Sequence, residues 1–195
     1  MHAFRKDRRI ACQLWQHAAT VCNMEYHVQF EQWVPFPVDH VFAFFANPNN
    51  LLRIMPPAIQ TKIVLLELKP PPPDHSALVT ISSTLAGSGS KIVTSFRLFP
   101  LLPIQAQWIS YITEFEWNHH FADIQEKGPF KTWHHRHQFA TVTRNGVNGT
   151  IVRDLVDYEV GFGFLGAIAQ NLFVPRQIQQ TFAYRQNILQ SLLQS

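Results

Sequence analysis

The sequence predicts an α+β fold in which a curved antiparallel sheet wraps around a long C-terminal helix, with two short helices after the first strand. Three observations predict it. From about residue 59 to residue 160 the chain reads as successive strands separated by Pro- and Gly-bearing breaks. Ahead of that block stand one alternating segment and two short helical patterns. Behind it, apolar residues recur at helical spacing to the end of the chain.

At 195 residues the chain has the length of one domain, and 46% hydrophobic with 13% aromatic residues is ample for a core. Only 15% of residues are charged, which excludes a disordered chain and points to apolar surface beyond an ordinary core's needs, such as a lined cavity. No apolar run reaches the ~18 residues of a membrane span, so no integral membrane segment is expected. The net charge of +3 is local: Arg5, Lys6, Arg8 and Arg9 stand against Asp7, and the chain beyond residue 23 is formally neutral. A nucleic-acid partner is therefore not expected, because no basic face is left to neutralise phosphates. Both cysteines, Cys12 and Cys22, also lie in the leader, so the body can hold neither a disulfide framework nor a Cys-based zinc site. Residues 1–23 read as an N-terminal extension, docked or frayed, and residues 24–195 as the domain. Residues 10–22 are interrupted by Gln, His and Thr, unlike a secretory signal, and the protein is read as cytoplasmic.

Residues 24–34 alternate and predict a strand, stopped by Pro35 and Pro37. Val38, Val41, Phe42 and Phe45 then form a helical stripe, with Pro37 and Asp39 at its start. Asn47-Pro48 opens a second, short helix that ends at Pro56-Pro57. Strands are expected near 59–68, 76–85, 91–99, 106–116, 118–126, 130–143 and 150–160. The intervening breaks fall at Pro70 to Pro73, Gly87 to Gly89, Pro100 and Pro103, Gly128-Pro129 and Asn145 to Gly149. One helix is expected over 165–193. Leu165, Ile168 and Leu172 form one stripe and Ile178, Phe182 and Leu189 a second, with a kink at Pro175 between them. Its exposed face is read as Gln and Asn, with Arg176 and Arg185 as the only charges. The packing that buries such a helix under such a sheet is the helix-grip architecture, and it tends to leave a cavity.

Several segments carry a resemblance to a family. They are P-F-P-V-D-H-V-F-A-F-F-A-N-P-N-N-L (35–51), F-A-D-I-Q-E-K-G-P-F-K-T-W-H-H-R-H-Q-F (121–139), D-L-V-D-Y-E-V-G-F-G-F-L-G (154–166) and F-A-Y-R-Q-N-I-L (182–189). From about Met24 to Leu193 the chain resembles the SRPBCC superfamily, which includes START lipid-transfer domains, birch-pollen allergens and polyketide cyclases. Within it the resemblance is to bacterial ligand-binding proteins of the cyclase/dehydrase-like kind. The resemblance implies a helix-grip fold and a cavity for a hydrophobic ligand. It implies no particular reaction, and function must come from the site.

Strand parity nominates that site. Trp133, His135, His137 and Phe139 share one face of their strand, as do Phe121, Asp123 and Gln125, and Val152, Asp154, Val156 and Tyr158. If these faces look inward, Asp123, His135, His137 and Asp154 converge as a polar patch in an aromatic cavity. Three readings stand side by side. The patch is a satisfied hydrogen-bond network; or its groups meet a ligand's polar end, with a His–Asp pair able to do acid–base chemistry; or His-x-His with two carboxylates holds a metal. The reading adopted is ligand contact by Asp123, Trp133, His135, His137, Asp154, Tyr158 and Phe182, without cofactor or metal. No G-x-S-x-G nucleophile motif exists, and Gly87 to Ser90 lacks the helix of a phosphate loop. The expected function is binding of a small hydrophobic or amphipathic ligand: a lipid, polyketide or isoprenoid-like molecule. The alternatives are a polyketide cyclase or dehydratase using a cavity His as general base, and a protein-binding regulator.

Overall fold

A computed structural model describes residues 5–11, 23–73, 84–97, 104–161, 166 and 170–194. Its elements run β1 (Arg5–Ala11), β2 (Asn23–Val34), α1 (Val38–Ala46), α2 (Leu51–Ile54), β3 (Lys62–Glu67), β4 (Lys91–Arg97), β5 (Gln105–Glu116), β6 (His120–Lys127), β7 (Thr132–Arg144), β8 (Val147–Glu159) and α3 (Val174–Leu193). Among the described residues one sheet holds eight strands in the order β1-β2-β8-β7-β6-β5-β4-β3. Every neighbouring pair is antiparallel. Strands β3 to β8 thus form a consecutive meander, and β2 closes against the last of them. With α3 packed on the sheet and the short helices after β2, this is the helix-grip fold. Within residues 1–23, Arg5–Ala11 docks as an edge strand along β2.

The short helices follow from their local chemistry. The carbonyl of Pro37 accepts the first helical bond, from Val41 N at 3.1 Å, and the apolar stripe buries Val41 and Phe42 completely. Asn47 then leaves helical geometry, and its side chain accepts from Asn49 N at 3.1 Å, capping the 3-10 turn Pro48–Asn50 that leads into α2. A further 3-10 turn at Pro57–Ile59 ends on Gln60 at φ 48, so β3 starts at Lys62 rather than near residue 59. The expected strand near 76–85 lies almost wholly outside the described residues.

Two further expectations are corrected. The final strand begins at Val147, not at 150, because Asn145 (φ 51) and Gly146 (φ 77) make a two-residue hairpin turn by themselves. Asn-Gly supplies the two positive φ values that such a turn requires, and the strands run to its edges. The long helix is not continuous over 165–193: Gly166 and residues 170–172 are helical, Phe173 is a turn, and α3 starts at Val174. Pro175 sits in the first turn of the new helix, where its missing N–H costs nothing, rather than at a kink. Of the earlier stripe, Leu165 and Ile168 lie outside the described residues, and Leu172 is exposed rather than buried.

Two aromatic-rich clusters pack between α3 and the sheet. One gathers Phe42, Phe121, Phe139 and Val152 around Leu189 and Leu193. The other gathers Tyr26, Val28, Val156 and Tyr158 around Ile178 and Phe182. Phe182 stacks on Phe30 with ring centroids 4.2 Å apart and meets His135 edge-on. Gln32 and Gln186 tie β2 to α3 reciprocally, each amide donating to the other strand's or helix's backbone carbonyl region, at 2.8 Å to Gln186 O and 3.2 Å to Glu31 O. Phe182→Ala is expected to cost about 3–5 kcal/mol in urea unfolding, the usual range for a buried aromatic truncated in a packed core. A loss below about 1 kcal/mol would place α3 outside the sheet's grip.

Candidate functional site

Between the sheet and α3 lies a cavity of about 480 Å³. Its walls come from the end of α1, the turns around α2, strands β4 to β7 and the first half of α3. Most of that wall is apolar, with Phe45, Ile92, Ile112, Trp108 and Trp133 prominent. Strand register sets its polar end. Asp123 on β6 stands opposite His135 on β7, and His137 stands opposite Asp154 on β8. Opposed residues share a face, so the four groups converge as strand parity requires.

The cavity wall includes Asp123, Trp133, His135, His137 and Phe182. Asp154 and Tyr158 do not line it; they stand behind it. Tyr158 is fully buried, and its hydroxyl accepts from Gln170 Nε2 at 3.0 Å. Asp154 is the hub. Its Oδ1 accepts from His135 Nε2 at 2.9 Å and from Arg185 Nη1 at 3.1 Å. His137 Nδ1 lies 2.8 Å from the same oxygen, but its N–H is not aligned with it and makes no hydrogen bond. On the cavity side, Trp108 Nε1 donates to Ser110 Oγ at 3.0 Å, and Ser110 donates to Asp123 Oδ2 at 3.3 Å. The other Asp123 oxygen is 3.8 Å from His135 Nδ1, beyond hydrogen-bond reach. Neither His135 Nδ1 nor His137 Nε2 makes a hydrogen bond among the described residues.

Arg185 is the residue that the sequence reading misplaced. It is 6% exposed, packs its guanidinium 4.7 Å from the Phe182 ring centre and lines the cavity. The signal was present. Ile178, Phe182, Arg185, Leu189 and Leu193 are the buried residues of α3, spaced by three or four. Arg185 therefore occupies one position of the inward stripe. It was set on the polar face for its charge, although Asp154 on the inward parity of β8 is the partner that makes a buried guanidinium tolerable.

Electrostatics divide the four groups. Burial alone would raise the Asp154 carboxyl, but the Arg185 charge and the two His contacts outweigh it and hold Asp154 well below the usual carboxylate range. Burial, helped by the neighbouring His137, pushes His135 down to about 4 against the pull of Asp154. His137 is lowered by burial as well. Burial raises Asp123, and His135 and Ser110 offset this only in part. At neutral pH the arrangement is thus an Asp154–Arg185 ion pair, two neutral imidazoles and a carboxyl that is reluctant to ionise. Two groups of side chains have the ligand types and spacing for a metal: Asp123, His135 and His137 inside, and Glu116, His119 and His120 on the β5–β6 hairpin.

Comparison with known proteins bears on the fold. No family model matches the chain, and no curated protein is similar to it in sequence. Solved structures do match. Ginseng major latex-like protein 151 from Panax ginseng is 12% identical with a TM-score of 0.57, covering 86% of this chain and 96% of that one. A START superfamily protein from Mycobacterium smegmatis is 10% identical with a TM-score of 0.55, covering 86% and 97%. Norcoclaurine synthase from Thalictrum flavum, in complex with dopamine and hydroxybenzaldehyde, is 11% identical with a TM-score of 0.53, covering 91% and 95%. The chain has the helix-grip fold of the START-like proteins, in agreement with the SRPBCC resemblance of its sequence. Among the described residues no helix is long and apolar enough to cross a membrane.

The buried ion pair generates a sharp expectation. Arg185→Met leaves Asp154 charged and uncompensated, and should cost about 3–5 kcal/mol in urea unfolding. Arg185→Met combined with Asp154→Leu should recover most of that loss. Equal losses in the single and double variants would show that packing, not charge compensation, is what Arg185 contributes.

Proposed function

We propose that this chain binds a small hydrophobic or amphipathic molecule, of lipid, polyketide or isoprenoid type, inside the cavity between sheet and helix. The observation that carries this reading is the cavity itself: about 480 Å³ of space with an apolar aromatic wall and one polar end. That volume lies within the roughly 300–1,000 Å³ of small-molecule sites, and a few oriented polar groups in an apolar wall is their usual composition. Apolar burial at about 25 cal/mol per Å² supplies the affinity. Trp133 and Phe182 contact the ligand's body, and Asp123, His135 and His137 its polar end. Asp154 and Tyr158 act from behind by fixing the His rings and the β8 backbone. Among the fold neighbours, norcoclaurine synthase supports the reading, since its structure is a complex with dopamine and hydroxybenzaldehyde. We read the place of action as the cytoplasm, in keeping with a domain whose sequence has no cysteine.

Native mass spectrometry of freshly purified protein should show a co-purifying species that is lost on denaturation. A solvent-sensitive dye, anilinonaphthalene sulfonate, should bind at one site, and Ile92→Trp, which fills the cavity wall, should weaken it at least tenfold, about 1.4 kcal/mol. Dye binding untouched by Ile92→Trp would locate the apolar site elsewhere.

A second reading is favoured by one observation. His135 Nδ1 and His137 Nε2 are uncommitted while their rings line the cavity, which is what a general base of a cyclase or dehydratase needs. Under it, His137→Gln should abolish turnover of a polyketide-like substrate while leaving dye affinity within about twofold.

A further inference from the structure

Asp123 is a carboxyl with little to hold it. It sits at the polar end of an apolar cavity and receives one long hydrogen bond, from Ser110 at 3.3 Å. Its second oxygen faces His135 Nδ1 across 3.8 Å, too far for a direct hydrogen bond. Beside them the His137 ring lies against the His135 ring, with centroids 3.9 Å apart. One ligand atom from each of the three residues falls within 4.8 Å of the other two.

The two histidines are addressed from behind by a single group. His135 turns Nε2 to Asp154 Oδ1 at 2.9 Å, and His137 brings Nδ1 to 2.8 Å from the same oxygen. Each ring is thereby left with its other nitrogen toward the cavity. For His135 this carboxylate behind the imidazole is the arrangement that fixes a metal-ligating histidine, setting the tautomer and the ring orientation, while His137 lies near the same oxygen without bonding it. Arg185 cancels the Asp154 charge by donating to that oxygen, so Asp154 does not itself compete as a ligand.

We propose that Asp123, His135 and His137 bind one divalent first-row transition metal ion, of the zinc or ferrous type, at the polar end of the cavity. Bonds of about 2.0–2.1 Å put the ligand atoms of such an ion roughly 3.0–3.4 Å apart, so the 3.8 Å gap from Asp123 to His135 closes by about half an ångström. Two imidazoles and one carboxylate leave coordination positions open, and here these face the apolar cavity. The ion would give the buried Asp123 carboxylate the counter-charge that the protein does not. It would also give the cavity a Lewis-acidic end for a ligand's carbonyl, hydroxyl or carboxylate oxygen. The proposal rests on the ligand-binding reading, since the open positions look into that cavity.

The test uses the full chain, stripped with EDTA and titrated with zinc by calorimetry, with cobalt(II) added separately to read visible d–d absorption. One zinc per chain is expected at this site. Asp123→Asn, which keeps the side chain's shape, should weaken it by more than about 100-fold, beyond the 10–100-fold typical of groups behind the ligands. Glu116, His119 and His120 form the competing surface group, so His119→Gln/His120→Gln is the control and should leave the internal site intact. Zinc uptake that survives Asp123→Asn, or that disappears in the surface variant, overturns the proposal and assigns the ion to the hairpin. Anilinonaphthalene sulfonate binding in the same samples reports the cavity separately. Dye bound without zinc defeats the metal site alone, whereas zinc bound and released by Asp123→Asn without dye binding sustains the metal site and defeats the ligand reading.

Discussion

Asp154 places a negative charge in the interior, and the surrounding structure is organised around compensating it. A carboxylate taken out of water loses several kcal/mol of hydration, which only good geometry restores. The restoring donors come from two different elements: Arg185 from α3 and His135 from β7, both on Oδ1. A single oxygen atom thus ties the helix to the sheet at the level where the two aromatic clusters meet. Ile178 and Phe182 lie on one side of Arg185 along α3, and Leu189 and Leu193 on the other. The Arg185–Asp154 bond joins the Gln32–Gln186 pair and the Phe30–Phe182 stack in fixing the helix's axial position, because sliding by one turn would strand both charges.

The same requirement shapes the cavity. His135 serves as the neutral partner of a group behind the wall, so its remaining nitrogen looks the other way, and the His137 ring lies beside it on the same wall. With Asp123 opposite His135 on β6, the polar end of the cavity follows from satisfying Asp154 on β8. The neutral state of the rings has the same origin, since burial outweighs the attraction of the carboxylate. The polar end of the cavity and the compensation of Asp154 therefore draw on one set of side chains, His135 among them, whereas Ile92 and Trp133 belong to the cavity wall alone.

Much of this was legible in the sequence, for definite reasons. Period-two alternation on β6, β7 and β8 is strict where one face is buried, so Asp123, His135, His137 and Asp154 were assigned to a common face without knowledge of the register. Pro37, Asn47 and Pro48 announced the helix starts because each acts through its own backbone. What could not be read depended on partners distant in sequence. Arg185 looks like a surface residue until Asp154 is seen opposite it. Pro175 signals interruption, but only the turn at Phe173 shows that one helix ends and another begins. The distinction between Asp123 on the cavity wall and Asp154 behind it also lies beyond parity, which orders faces and not depth.

The pairing of β2 with β8 has a consequence for how the molecule is made. His27 and Asp157 touch across 130 residues of chain, and Tyr26 lies directly opposite Tyr158. The strand near the start of the domain has no inner neighbour until the last strand has been synthesised, and α3 follows later still. Strands β4 to β8 pair with their neighbours in sequence through connections of seven residues or fewer, at low entropic cost. The closing pair requires a loop of nearly the whole domain, the kind of contact that slows folding. During synthesis the apolar side of β2, with Val28 and Phe30, waits uncovered beside nascent chain. The part of the domain that is synthesised last is therefore the part that converts an open meander into a closed grip.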